Sequence, residues 1–144
     1  MTKCVGLLAG LLGLAGVVGF ALGAASAEDA KKGDTRVFEL RVYHAAPGKM
    51  GALNARFKDH TNKLFAKHGM TVVGFWTPTK PEEAEKTLYY ILAYPSQDAA
   101  RKSWQGFRDD PDWKAAKDAS EKDGPLVQKV ESVYMNPTDY SPMK

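Results

Sequence analysis

Phe38-Glu39-Leu40-Arg41-Val42-Tyr43 alternates apolar and polar side chains, breaks at Ala45-Ala46-Pro47-Gly48, and gives way to a segment of helical period. Strict alternation predicts a half-buried strand over residues 36–44. Phe38, Leu40 and Val42 share one face, read as helix-facing core; Glu39, Arg41 and Tyr43 share the other. Beyond the turn, Met50, Leu53, Phe57, Leu64 and Phe65 recur at three- and four-residue steps, with His60 and Thr61 on the same side. Lys58, Asp59, Asn62, Lys63 and Lys67 fall opposite, which predicts an amphipathic helix of about five turns. Gly69 supplies the left-handed residue that ends such a helix.

The remaining chain repeats this alternation of elements. Residues 70–77 are rich in Val, Phe and Trp and read as a strand; residues 78–85 carry two prolines and read as a polar loop. Residues 87–94 are apolar on both faces, which places this strand in the middle of a sheet. Ser96 is the expected N-cap of a helix carrying Ala99, Ala100, Trp104 and Phe107. Asp110 with Pro111 starts another helix, which runs to Asp123-Gly124-Pro125. Residues 126–135 form the last strand, and residues 136–144 a tail. Strand, helix, strand, strand, helix, strand is the ferredoxin-like βαββαβ plait, an α+β fold with a four-stranded antiparallel sheet and two helices on one face. The other sheet face must be covered, and its candidate aromatics (Tyr43, Trp76 or Phe75, Tyr89 or Tyr90) predict sheet-to-sheet dimerisation.

The first 35 residues have a different character. Lys3 precedes an apolar run over 5–22, and Ala25-Ser26-Ala27 has the small-x-small form of a signal-peptidase site. Residues 1–27 are therefore read as a signal peptide cleaved between Ala27 and Glu28, residues 28–35 as a disordered lead-in, and residues 36–144 as one domain. The alternative is a retained membrane anchor, since the uncharged run could span a bilayer. Cleavage implies a periplasmic or secreted protein. Cys4 is the sole cysteine, so the mature chain holds no disulfide. The formal charge of +3 drops by one with Lys3, to +2, and acids and bases are interspersed, which argues against a nucleic-acid partner.

Six phrases carry a family resemblance: Phe38 to Tyr43, Pro47-Gly48-Lys49, Lys67-His68-Gly69, Val73-Gly74-Phe75-Trp76, Ala93-Tyr94, and Asp110-Pro111-Asp112-Trp113. In this order, over residues 37–142, they resemble the NIPSNAP family. The resemblance implies a dimeric α/β-barrel, a superfamily that includes cofactor-free monooxygenases, lactone isomerases and haem proteins. Most NIPSNAP members have no established reaction, and several look like mitochondrial binding or signalling proteins. The leader segment departs from those, so a mitochondrial role is not carried over.

Candidate site residues follow from chemistry and position. His60, expected on the inward helix face, is the candidate acid/base; a core or interface histidine is the structural alternative. Glu39, Arg41 and Tyr43 would line a dimer interior that binds a carboxylate or phenol, or would form an interface ion pair. Trp76, Tyr90 and Tyr94 are candidate walls for an aromatic or lipid-like ligand, or core. His68 is expected to complement a helix C-terminus, and His44 has no partner that sequence identifies. No metal site is expected: His60 and His68 stand about 12 Å apart along a helix, too far to share one ion. No cofactor is expected, haem ligation by His60 or His68 resting on superfamily analogy alone.

Three functions follow. The first is an exported homodimer binding a small apolar or aromatic molecule, or a protein partner, without turnover. The second is a cofactor-independent monooxygenase or isomerase, with His60 moving the proton and Arg41 or Tyr43 steadying an oxyanion. The third is an interaction module using Trp104, Trp113 and the tail as its contact surface.

Overall fold

The computed structural model describes residues 36–144. The expected signal peptide, its expected cleavage point between Ala27 and Glu28, and the expected lead-in lie outside the described residues. Strands β1 (Val37–Ala45), β2 (Thr71–Trp76), β3 (Thr87–Tyr94) and β4 (Val127–Met135) form one antiparallel sheet in the order β2-β3-β1-β4. This is the expected ferredoxin-like order, with the doubly apolar β3 in a central position. Residues 78–85 are not wholly loop: Pro81–Ala84 forms one helical turn, α3, with Pro81 at its start.

The first helical region is α1 (Met50–Arg56), a π-helical turn (Phe57–Thr61) and α2 (Asn62–Lys67) in one continuous run. At the wide turn the Asn62 amide donates to the Phe57 carbonyl five residues back, and the Thr61 hydroxyl donates to the Arg56 carbonyl at 3.2 Å. Gly69, at φ +72°, then reverses the chain, and the Met70 amide bonds the Phe65 carbonyl. The second region is α4 (Gln97–Asp109) and α5 (Pro111–Ser120). Ser96 caps α4 through the Ala99 amide, and Asp110 caps α5 through the Asp112 amide, as the sequence predicts.

One core lies between the sheet and the helices. Leu53, Phe57, Leu64 and Phe65 meet Leu88, Tyr90, Leu92 and Tyr94, while Trp104 and Phe107 close it from α4. Tyr43 and Phe75 pack edge-on against Phe57 within this core, at 5.8 and 5.3 Å between ring centres.

The two faces of β1 are the reverse of the expected ones. Glu39, Arg41 and Tyr43 face the helices; Phe38, Leu40 and Val42 face the open side of the sheet. Alternation establishes which residues share a face but not which face meets the helices. Trp104, on α4, supplies the deciding partner, because its indole N–H and Glu39 satisfy one another only on that side. The same parity, with a bulge between Val72 and Gly74, puts Trp76, Tyr89, Ile91 and Val133 on the open face beside Leu40 and Val42. Of the expected open-face aromatics, Trp76 and Tyr89 stand there, whereas Tyr43, Phe75 and Tyr90 are inside. Gly74 leaves room for its neighbour: a Cβ there would stand 2.8 Å from the Trp76 indole, which lies over it and would have to move. The tail folds back on the open face at the Phe38 end, held by Arg36 Nε donating to the Lys144 carbonyl at 2.8 Å.

Candidate ligand site

Glu39 is the polar centre of the molecule, 1% exposed. An ionised carboxylate survives such burial only when its lone pairs are filled. Here four donors converge on it. Ser132 Oγ (2.6 Å) and Arg41 Nη1 (2.8 Å) donate to Oε1; Tyr94 OH (2.7 Å) and Trp104 Nε1 (2.7 Å) donate to Oε2. Burial alone would raise the Glu39 carboxyl, but these hydrogen bonds outweigh it and hold the group below its ordinary value. Burial pushes the Tyr94 hydroxyl up, reinforced by its bond to Glu39, so Tyr94 stays a neutral donor. Burial works against the Arg41 charge, yet its bond to the Glu39 carboxylate and the charge of that group oppose this, and the guanidinium stays protonated.

Arg41 links this cluster to open space. Its guanidinium lies 4.3 Å from the Trp104 ring centre and 5.5 Å from that of Tyr43. Beside it a cavity of about 540 Å³ opens between β1, α4 and α5. Tyr43, Trp104, Phe107 and Trp113 form its aromatic walls, with Phe107 and Trp113 at 4.5 Å between ring centres. Arg108, Lys114, Lys117 and Asp118 stand around it. Trp113 is braced from its other neighbour, the buried Arg56, whose guanidinium is 5.1 Å from the ring and paired with Glu121 at 2.9 Å.

Of the sequence-predicted ligand residues, Arg41 and Tyr43 line the cavity, and Glu39 and Tyr94 lie behind Arg41 as its support. Tyr90 is fully buried in the aromatic core, and burial raises its hydroxyl well above the ordinary value. Trp76 does not join them, being 49% exposed on the opposite sheet face. His60 is not inward either. The π-helical turn gives the inward position to Thr61 and leaves His60 exposed, in a groove between that turn and α5. His60 and Arg41 therefore belong to separate places. His68 is bound to Asp110 at 2.6 Å, tying the end of α2 to the α4–α5 junction, and His44 pairs with Glu131 at 2.8 Å. Lys67 first, then His68, hold the Asp110 carboxyl well below the usual carboxylate range.

Sequence reasoning missed Trp104 and Arg56 as site residues, treating the former as apolar stripe and contact surface. The usable signal was chemical: a buried indole N–H needs an acceptor, and a Glu on a strand with an aromatic helix opposite needs donors.

A four-stranded antiparallel sheet with its helices on one face and an apolar open face on the other defines a ferredoxin-like α+β fold, similar to that of dimeric α/β-barrel proteins. The chain belongs to the NIPSNAP family, whose model matches residues 38–142. A NIPSNAP family protein from Agrobacterium tumefaciens is similar over 76% of this chain and 99% of its own, at 19% identity and TM-score 0.66. A second from the same organism, described as of unknown function, is similar over 76% and 94%, at 22% identity and TM-score 0.64. SnoaB, a cofactor-independent oxygenase from Streptomyces nogalater, is similar over 74% and 97%, at 14% identity and TM-score 0.50. These likenesses are of fold. Comparison with curated proteins gives no match.

Proposed function

We propose that this chain is an exported homodimer, joined through its open sheet faces, in which each protomer binds a small aromatic or apolar molecule without turning it over. The observation that carries the reading is the cavity at Arg41, walled by four aromatic side chains. Its volume of about 540 Å³ lies within the range of small-molecule sites, which are apolar with a few placed polar groups. Support for dimerisation comes from the open face, where Trp76 is 49%, Tyr89 37% and Val133 53% exposed beside Leu40, Val42 and Ile91. A soluble monomer rarely leaves so contiguous an apolar patch in water. Export rests on the leader pattern ending at Ala27.

The catalytic reading required His60 beside Arg41, and the two are apart. Glu39 does not replace His60 as a base, because four donors already occupy its lone pairs. The interaction-module reading loses Trp104, which is 8% exposed and turned into the core. Native mass spectrometry of protein purified from its own host tests the proposal. The expected result is a mass of two protomers lacking residues 1–27, with a small molecule retained or rebound by each protomer. An apo monomer at micromolar concentration contradicts it.

A further inference from the structure

We propose that the cavity selects an organic anion: an aromatic or alicyclic carboxylate whose acid group pairs with Arg41 and whose body lies against Trp104, Phe107 and Trp113. This rests on the ligand-binding reading above and narrows it to one chemical class. Three observations lead to it.

The first is the donor count on Arg41. A guanidinium carries five N–H donors in a planar fork. Among the described residues, one bond is spent, from Nη1 to Glu39. Nε is buried with no partner. An arginine so placed has hydrogen-bonding capacity that the fold does not use, and carboxylate geometry matches its fork.

The second is charge. Glu39 and Arg41 cancel each other, so they leave the cavity floor neutral overall. Around the cavity Arg108, Lys114 and Lys117 stand against one acid, Asp118. Lys114 makes no ion pair among the described residues, and the Lys117 pair with Glu121 is long, at 3.9 Å. The cavity is therefore a cationic funnel with low-dielectric walls, an arrangement that concentrates anions.

The third is exclusion. Trp104 Nε1–H, a donor without acceptor capacity, points at Glu39 and is unavailable to the ligand. The polar side chain that β1 offers at the cavity floor is Arg41, a donor without acceptor capacity. A neutral aromatic would fill the walls but offer no anionic acceptor to the N–H donors that Arg41 has left beyond its bond to Glu39. A cationic aromatic would meet three like charges.

Matched pairs of aryl carboxylates and their neutral amides, such as 1-naphthoate with 1-naphthamide and 4-ethylbenzoate with 4-ethylbenzamide, test this by isothermal titration calorimetry. The protein used is the chain from Glu28 onward. Carboxylates are expected to bind at least tenfold tighter than their amides, and to weaken several-fold between low and physiological salt. Lys114→Gln with Lys117→Gln, both on the exposed side of α5, should weaken carboxylates several-fold and leave amides unchanged. Arg41→Lys, which keeps the charge that Glu39 requires, should weaken carboxylates more than the mouth variant does. Equal affinity within the pairs, or tighter amides, overturns the anion proposal and leaves the binding reading standing. Heat from neither member of any pair overturns both.

Discussion

Replacing Glu39 by Gln changes one atom of the carboxylate and tests the polar centre directly. The new amide would keep one acceptor oxygen and present an NH₂ where the other stood. Tyr94 and Ser132 are hydroxyls and can turn to accept from that NH₂. Trp104 Nε1–H and Arg41 Nη1–H cannot. They bind opposite oxygens of Glu39, so either amide orientation leaves one fixed donor facing an N–H. Arg41, 16% exposed, also loses its counter-charge. Breaking a buried pair by removing one partner costs about 3–5 kcal/mol, and the bonds that the amide retains reduce this to about 3 kcal/mol. For a domain of this size, about 4 °C of melting temperature accompanies each kcal/mol, which gives a drop of roughly 12 °C. Circular dichroism melts at one fixed protein concentration would measure it, since self-association also sets the midpoint. The pH dependence has a definite sign. Glu39 is held below its ordinary value near 4.5, so its contribution is complete above that value and is lost as pH falls through the lower, folded-state value. The gap between wild type and Glu39→Gln should be widest near neutrality and shrink on acidification. A difference below about 0.5 kcal/mol at pH 7, the size of an ordinary surface change, would refute the reasoning. So would a gap that widens with acid.

Other substitutions probe the elements that hold the site. Asp110→Asn keeps the cap on the Asp112 amide but loses its charge toward Lys67 and His68, whereas Asp110→Ala loses both. Thermal melts should rank wild type above Asn and Asn above Ala; an Ala variant as stable as wild type would show that the junction carries no weight. His60→Ala should change stability by less than about 0.5 kcal/mol and leave carboxylate affinity unchanged, because His60 is exposed and outside the cavity. A tenfold affinity loss on calorimetry would return His60 to the site. Gly74→Ala should displace the Trp76 indole, which lies 2.8 Å from the added carbon, and shift tryptophan emission to the red. Because that indole is half exposed in a lone protomer, the stability cost should stay under about 1 kcal/mol in denaturant unfolding of protein held monomeric by dilution.

Local sequence was enough for the topology and for most element ends. Ser96 and Asp110-Pro111 cap the helices they were expected to cap, because capping chemistry acts within three residues. Gly69 behaves likewise. The faces of β1 were not legible, because both halves of its alternation carry bulky side chains and the choice rests on distant partners. Trp104 is 65 residues from Glu39 and Ser132 is 93. His60 was misplaced for a local reason of another kind. The three- and four-residue steps around it fit a regular α-helix, and one π-helical turn shifts the inward position to Thr61 without leaving a sign in the apolar pattern. Candidate residues Arg41 and Tyr43 were expected on the open sheet face and stand under the helices instead.

That reversal changes what the assembly can do. Had Arg41 and Tyr43 pointed to the open face, sheet-to-sheet packing would have brought both copies toward one shared space. Their lone cavity would have held one ligand per dimer, with Arg41 contributed twice. With Arg41 under α4, the cavity is built within the protomer from β1, α4 and α5, and Leu40 and Val42, which would meet the partner in the proposed dimer, are its immediate neighbours pointing the other way. In the proposed dimer one strand would serve two separate tasks by alternation alone. The consequence is a stoichiometry of one ligand per protomer with equal affinities. Val133→Asp, which buries a charge in the proposed sheet-to-sheet contact, should halve the mass seen by light scattering while binding persists. Saturation at one ligand per dimer, or loss of binding with loss of the dimer, would mean that the partner completes the cavity and that the two faces of β1 are not independent.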